Sequence, residues 1–99
     1  MAKSKIVWSH KANIKLFEIL DFYNERNKSK EYSKKLYKKF TRELTLLIKY
    51  PDIGVKTEIE SVRGLIVDGY ILFYEVTSDK IIVHTLWACW QDPNDLKIK

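Results

Sequence analysis

The stretch "SVRGLIVDGYILFYEVTSDKIIVHTLW", residues 61–87, decides the fold, because its residues follow the two-residue period of β-strands. It divides into three strands, SVRGLIV, YILFYEV and KIIVHTLW. Asp68-Gly69 separates the first two and favours a two-residue hairpin turn with positive φ. Thr77-Ser78-Asp79 separates the second and third strands. Strands joined this tightly pair antiparallel, so the sequence predicts a three-stranded meander.

Two amphipathic helices precede the meander. "KIVW", residues 5–8, reads as a strand, and Ser9 after it is suited to cap a helix. The apolar face of the first helix comprises Ala12, Leu16, Ile19, Leu20 and Tyr23. That of the second comprises Leu36, Tyr37, Phe40, Leu44, Leu47 and Ile48, and Pro51 ends this helix.

These elements predict an α+β fold in the order strand-helix-helix-strand-strand-strand. A helical hairpin should pack on a four-stranded, mainly antiparallel sheet. Because the chain has 99 residues, we expect one domain over residues 1–99. A hydrophobic fraction of 45% argues against disorder.

The chain carries 18 Lys and Arg against 13 Asp and Glu, a net charge of +5, which favours anionic partners. The second helix concentrates this charge, since the side opposite its apolar face holds Lys34, Lys35, Lys38, Lys39, Arg42 and Lys49. This face predicts binding to nucleic acid or to an acidic protein, because counterion release drives such association. A solvated helix exterior is the alternative.

Composition also limits location and cofactors. A single cysteine forms no internal disulfide, and the sequence shows neither a signal peptide nor a membrane-spanning apolar run, so we expect a cytoplasmic protein without membrane contact. His10, His84 and Cys89 are far apart, so no metal site is expected. With three glycines and no phosphate-binding loop, no cofactor is predicted.

The segment "YPDIGVKTEIESVRGLIVDGYILFYEV" and the closing "LW…QDP" resemble the RelE/ParE family of bacterial toxins. The matching positions are Pro51, Gly54, Arg63, Leu65, Tyr70 and Tyr74. This resemblance covers nearly the whole chain and implies a toxin that arrests growth and is held inactive by a cognate acidic antitoxin. Some members cleave messenger RNA on the ribosome, and others poison DNA gyrase. The antitoxin is expected to bind as a helix in a groove or as an added strand.

The chain departs from the RNA-cleaving branch at several positions. Ile71 stands where that branch commonly has arginine, and the terminal NDLKIK lacks the usual tyrosine or histidine. In the family pattern W-D-x-R-Q-N-P, Ala88 replaces the acid and Trp90 replaces the base. Arg63 matches the gyrase-directed or uncharacterised members. Enzymatic activity therefore stays open, and a non-toxic relative that acts as a basic binding module is the alternative.

RNA cleavage through the 2′-hydroxyl needs a proton acceptor, a proton donor and cations around the phosphate. The candidates are Arg63, Tyr70, Lys56 and His84, with Glu58 or Glu75 as possible bases. His84, Arg63 and Tyr70 each have a structural alternative. His84 shares a predicted strand face with Ile82 and Leu86 and would then be a hydrogen-bonded core histidine. Arg63 would form a cross-strand ion pair with Glu75 or a similar acid, and Tyr70 would belong to the core.

Three aromatic residues are candidates for binding a protein partner. Phe17 lies off the apolar face of the first helix, and Trp87 and Trp90 close the last strand. Aromatic residues flanked by polar ones are typical of interfaces. We expect one tryptophan to seal the edge of the sheet and the other to face a partner.

Overall fold

The computed structural model describes residues 5–89, and two helices cover one face of a five-stranded sheet in it. The elements, in chain order, are β1 (Lys5–Trp8), α1 (His10–Asn27), α2 (Glu31–Lys49), β2 (Val55–Lys56), β3 (Val62–Val67), β4 (Tyr70–Val76) and β5 (Lys80–Ala88). The predicted α+β class, the helical hairpin and the antiparallel meander are therefore confirmed.

The strands lie in the order β1-β5-β4-β3-β2. β1 runs parallel to β5, and the other pairs are antiparallel. The predicted strand count was one too low, because β2 has only two residues and lies between turns, where no alternation can be read from the sequence.

The β3–β4 hairpin has the predicted turn. Asp68 has φ 50° and Gly69 has φ 81°, and both values lie in the left-handed region that a two-residue turn of this kind requires. The turn fixes the register, in which Val67 pairs with Tyr70 and Arg63 pairs with Tyr74. Consequently the side chains of Arg63 and Glu75 alternate to opposite faces of the sheet.

Ser9 joins the N-terminal strand to the last one. Its hydroxyl accepts the backbone N–H of Ala12 at 3.0 Å, which caps α1 as predicted. The same hydroxyl donates to the carbonyl oxygen of His84 at 2.9 Å. One side chain therefore fixes both the start of α1 and its position against β5.

The main core lies between the helices and the sheet. Its fully buried members include Phe40, Leu44 and Leu47 from α2 and Leu72 and Tyr74 from β4. The predicted apolar face of α2 is too wide, because Tyr37 and Ile48 are each 43% exposed. Both residues lie at the margin of the narrower arc that contacts the sheet. A second, smaller cluster on the opposite face of the sheet contains Val62, Phe73 and Trp87.

Candidate functional site

The loop after α2 and strands β3 and β4 form a hydrogen-bonded cluster around Tyr74. The Tyr74 hydroxyl donates to the carbonyl oxygen of Pro51 at 2.7 Å and accepts the backbone N–H of Gly54 at 3.0 Å. The absence of a side chain at Gly54 makes this approach possible, since a Cβ there would lie 2.5 Å from the hydroxyl oxygen. Burial raises the pKa of Tyr74, so the hydroxyl keeps its proton at neutral pH.

Arg63 completes this cluster. Its guanidinium donates to the carbonyl oxygens of Gly54 at 2.9 Å and Asp52 at 3.3 Å, and its Nε lies 3.7 Å from the Asp52 carboxylate. The side chain is 27% exposed. Arg63 is therefore partly accessible, but its Nη1 is bound to two carbonyl oxygens of the 51–54 loop. Lys56 is beside it in register on β2, in an exposed position.

Tyr70 occupies the other end of the β3–β4 hairpin. Its hydroxyl lies 3.0 Å from that of Tyr23, and its ring packs edge-to-face on Phe40 with 5.7 Å between ring centroids. Burial, followed by the hydrogen bond with Tyr23, raises the pKa of Tyr70. The hydroxyl therefore stays protonated, is a weak acid, and cannot act as a base in its neutral form.

A cavity of about 250 Å³ adjoins Tyr70 between α1 and the end of the sheet. It is lined by Lys15, Glu18, Ile19, Phe22, Tyr70, Leu86 and Ala88. Phe22 is 54% exposed, so the opening of the cavity carries an apolar ring. The lining is mixed, because the charged Lys15 and Glu18 lie beside the apolar Ile19, Leu86 and Ala88.

We expect the two buried tyrosines to make the fold sensitive to alkali. Their folded pKa values lie above the unfolded value near 10, so their stabilising effect is complete below pH 10 and falls as the pH rises further. Each tyrosine lowers the free energy of unfolding by up to about 1.4 kcal/mol for each pH unit above this value. Urea unfolding between pH 9 and 11 measures this loss. Tyr70→Phe should reduce the slope, and an unchanged slope would contradict the assignment.

His84 lies on the face of the sheet away from the helices. The register shifts between β4 and β5, with Phe73 opposite Thr85 and Tyr74 opposite Val83. His84 is the extra residue of this bulge. The prediction that His84 and Leu86 share a face is therefore wrong, because the bulge changes the alternation between them.

The bulge brings His84 to Glu75. The His84 Nε2 lies 2.8 Å from the Glu75 carboxylate, and the two side chains are 18% and 24% exposed. This geometry fits the hydrogen-bonded histidine that was the structural alternative. The predicted pair of Arg63 and Glu75 does not form, because the two side chains point to opposite faces.

The basic face of α2 is only partly available. Lys39 pairs with Asp68 at 2.7 Å, and the Lys49 ammonium lies 5.7 Å from the centre of the Tyr50 ring. The remaining four cations, Lys34, Lys35, Lys38 and Arg42, are exposed, and we call them the basic stripe. Within residues 5–89, no carboxylate forms an ion pair with any of the four.

The candidate partner residues differ in exposure. Phe17 is 61% exposed on α1, as an interface residue would be. Trp87 is 9% exposed and packs with Val62 and Phe73 on the face of the sheet away from the helices rather than at its edge, so little of its ring is accessible to a partner. Trp90 lies outside the described residues.

Comparison with known proteins places the fold in a family. A family model described as the ParE toxin of the type II toxin–antitoxin system parDE matches residues 6–89. The chain belongs to the ParE toxin family. The RelE/ParE resemblance is thereby confirmed, and ParE membership implies a toxin role and an antitoxin partner.

A solved structure is similar to this ParE family member. It is described as the chromosomal ParDE toxin–antitoxin system from P. aeruginosa, and its TM-score is 0.73 at 19% sequence identity. The similarity covers 87% of this chain and 96% of that chain, and it shows a shared fold. No curated protein matches the chain at a significant level.

Two further features of this ParE family member concern metals and membranes. Residues 5–89 contain no group of three or more His, Cys, Asp or Glu side chains that could hold a metal ion. Neither helix in the same part of the chain is long and apolar enough to cross a membrane.

Sequence reasoning missed Asp52 and Tyr23 as neighbours of the candidate site residues in this ParE family member. The sequence Pro-Asp-Ile-Gly indicates a turn after the second helix. Its carbonyl oxygens reach Arg63 only because of the irregular path of the loop, which the sequence does not show. Tyr23 was assigned to the core by its helical spacing. Only the packing of α1 against the sheet brings its hydroxyl to Tyr70.

Proposed function

We propose that this ParE family member arrests bacterial growth by binding DNA gyrase in the cytoplasm rather than by cutting messenger RNA. The observation that carries this proposal is the separation of the neighbouring Arg63 and Lys56 from Tyr70 and from His84. Cleavage through the 2′-hydroxyl needs its acid, base and cation around one phosphate.

The candidate side chains lie too far apart along the strands to surround one phosphate. Arg63 pairs with Tyr74, and Tyr70 lies four residues before Tyr74 on β4. At about 3.3 Å per residue, the two tyrosine backbones are roughly 13 Å apart. The core residue Leu72 lies between the two tyrosines. His84 is on the opposite face, and its imidazole is already bound to Glu75.

The environment of these residues supports structural roles. Tyr70 and Tyr74 have raised pKa values and hydrogen-bonded hydroxyls, so neither favours the loss of its proton. Arg63 holds the 51–54 loop through two carbonyl oxygens. We therefore assign Arg63 to positioning this loop, which lies beside the exposed Lys56, rather than to stabilising a reacting phosphate.

We propose that a cognate acidic antitoxin neutralises the toxin by inserting an apolar side chain into the cavity beside Tyr70. The exposed rings of Phe17 and Phe22 on α1 would extend this contact. An amphipathic helix could supply the anchor and place acidic residues near Lys15, which lines the cavity. Such a segment would cover the α1 side of the molecule.

Expression of the chain without its antitoxin should stop growth in a bacterial host. The purified protein should inhibit supercoiling by gyrase, while messenger RNA on translating ribosomes stays intact. Both readouts belong in one experiment, with supercoiling measured on plasmid DNA and cleavage mapped by primer extension.

The His84→Gln variant distinguishes the mechanisms. Glutamine can still donate to Glu75, so the fold and growth arrest should persist, whereas an enzyme that uses His84 as acid or base would lose its activity. Circular dichroism checks that the variant is folded. Specific messenger cleavage by the parent, abolished in His84→Gln, would refute the proposal. Normal growth at a high level of folded protein would instead favour the non-toxic binding module.

A further inference from the structure

The basic stripe on α2 lies between two half-exposed tyrosine rings. Tyr32 is 41% exposed and stands three residues before Lys35, and Tyr37 is 43% exposed and stands three residues after Lys34. Residues three apart are neighbours on a helix surface, so each ring is next to a cation. Viewed along the helix axis, Tyr37 is next to Lys34 on one side of the stripe and Tyr32 is next to Lys35 on the other. The two rings therefore lie on opposite flanks of the stripe.

The cations of the stripe are evenly spaced and available. Lys34, Lys38 and Arg42 recur every four residues, which places them roughly 6 Å apart along the helix axis. The acids of α2 are Glu31 and Glu43, and neither forms an ion pair with the stripe. No ion pair holds the stripe within residues 5–89, although Glu31, one helical turn before Lys34 and Lys35, reduces the positive charge at that end.

We propose that this face of α2 binds single-stranded nucleic acid, with phosphates on the basic stripe and an unpaired base stacked on Tyr37. The inference is independent of gyrase inhibition and of the antitoxin, since it concerns a surface that neither proposal uses. It also extends the charge argument, because charge alone attracts any polyanion.

The exposed ring of Tyr37 is the reason to expect a single-stranded ligand. A base in a duplex is stacked on its neighbours and cannot reach a ring on a convex helix. An unpaired base can turn outward and stack, and every base has a face for this contact, so no sequence preference is expected. Tyr37 is better placed than Tyr32, whose ring already packs against Tyr23 with 4.6 Å between ring centroids.

The same observations favour nucleic acid over an acidic peptide. Carboxylates would satisfy the lysines but would leave the exposed ring of Tyr37 without a partner. A strand of nucleotides supplies a row of phosphates with aromatic bases beside it, which matches a row of cations with the ring of Tyr37 on its flank. Charge and aromatic complementarity therefore point to the same class of ligand.

Binding of the full chain to a labelled twelve-nucleotide oligothymidylate, followed by fluorescence anisotropy, tests the proposal. The oligonucleotide should bind more tightly than a duplex of twelve base pairs. Tyr37→Ala should weaken binding to the single strand about fivefold or more and leave duplex binding unchanged. The plot of log affinity against log salt has a negative slope. The double variant Lys34→Gln/Lys38→Gln should make this slope less steep by roughly 1.4.

Phe17→Ala provides the matched control, because it removes an even more exposed ring, 61% against 43% for Tyr37, from α1 rather than from the helix that carries the stripe. It should leave both affinities unchanged. Equal weakening of single-strand and duplex binding by Tyr37→Ala would overturn the proposal. So would displacement of the oligonucleotide by polyglutamate at a lower charge concentration than by unlabelled oligothymidylate, which would identify an acidic protein as the ligand. Neither result depends on toxicity, so the proposed function would stand or fall separately.

Discussion

Gly54→Ala is expected to lower the free energy of unfolding by about 3 to 5 kcal/mol, which is a large part of the stability of a domain of this size. A Cβ at this position would lie 2.5 Å from the Tyr74 hydroxyl oxygen and 2.6 Å from the ring carbon Cε1. Tyr74 is fully buried, so its ring has no room to move aside. The substitution would also break both hydrogen bonds of the hydroxyl.

Urea unfolding followed by tryptophan fluorescence measures this change, provided that the m value stays constant. Gly64→Ala is the matched control. Its added Cβ would meet the Cγ2 methyl of Ile71 at 2.8 Å. Ile71 is only partly buried, so its side chain can shift outward more easily than the fully buried Tyr74 ring, and a smaller loss of about 1 kcal/mol is expected. In a Tyr74→Leu background, Gly54→Ala should cost much less. Equal losses at Gly54 and Gly64 would contradict the steric explanation.

Phe40→Ala should cost about 3 to 5 kcal/mol through a different mechanism, the creation of a cavity. Phe40 has no exposed surface and lies at the centre of the interface between α2 and the sheet. Its ring also contacts Tyr70 edge-to-face. Removing the ring therefore takes away apolar burial and the support of the Tyr70 side chain, whose hydroxyl binds Tyr23.

Thermal unfolding gives the readout for Phe40→Ala, because each kcal/mol shifts the midpoint by about 4 to 8 °C in a domain of this size. Phe17→Ala removes the same side chain from an exposed position and should change stability by less than about 0.5 kcal/mol. If the two variants unfolded at the same temperature, the assignment of Phe40 to the core would be wrong.

The parts of the fold that depend on neighbouring residues could be predicted from the sequence. The Asp68-Gly69 turn, the meander and the cap at Ser9 are local features, and all three are present. β2 escaped prediction because two residues show no period. The bulge at His84 also escaped, since it is defined by pairing across β4 and β5 rather than by a pattern within either strand.

The candidate site was harder to predict because its contacts join distant segments. Sequence reasoning offered Glu75 as a partner of Arg63, but strand alternation places their side chains on opposite faces. The guanidinium instead donates to backbone carbonyl oxygens in an irregular loop. Because every residue has a backbone carbonyl, the sequence does not indicate which ones will accept. The basic stripe was visible as a pattern, but only packing shows that Lys39 is neutralised by Asp68.

The parallel pairing of β1 with β5 has a consequence for the order of folding. The β3–β4 and β4–β5 hairpins close over short loops and can form early. β1 must instead meet a strand about 75 residues away, a separation that the Ser9 to His84 hydrogen bond spans. The first strand of the chain should therefore be among the last to dock, and until it does, the near edge of β5 is open to pairing with another molecule.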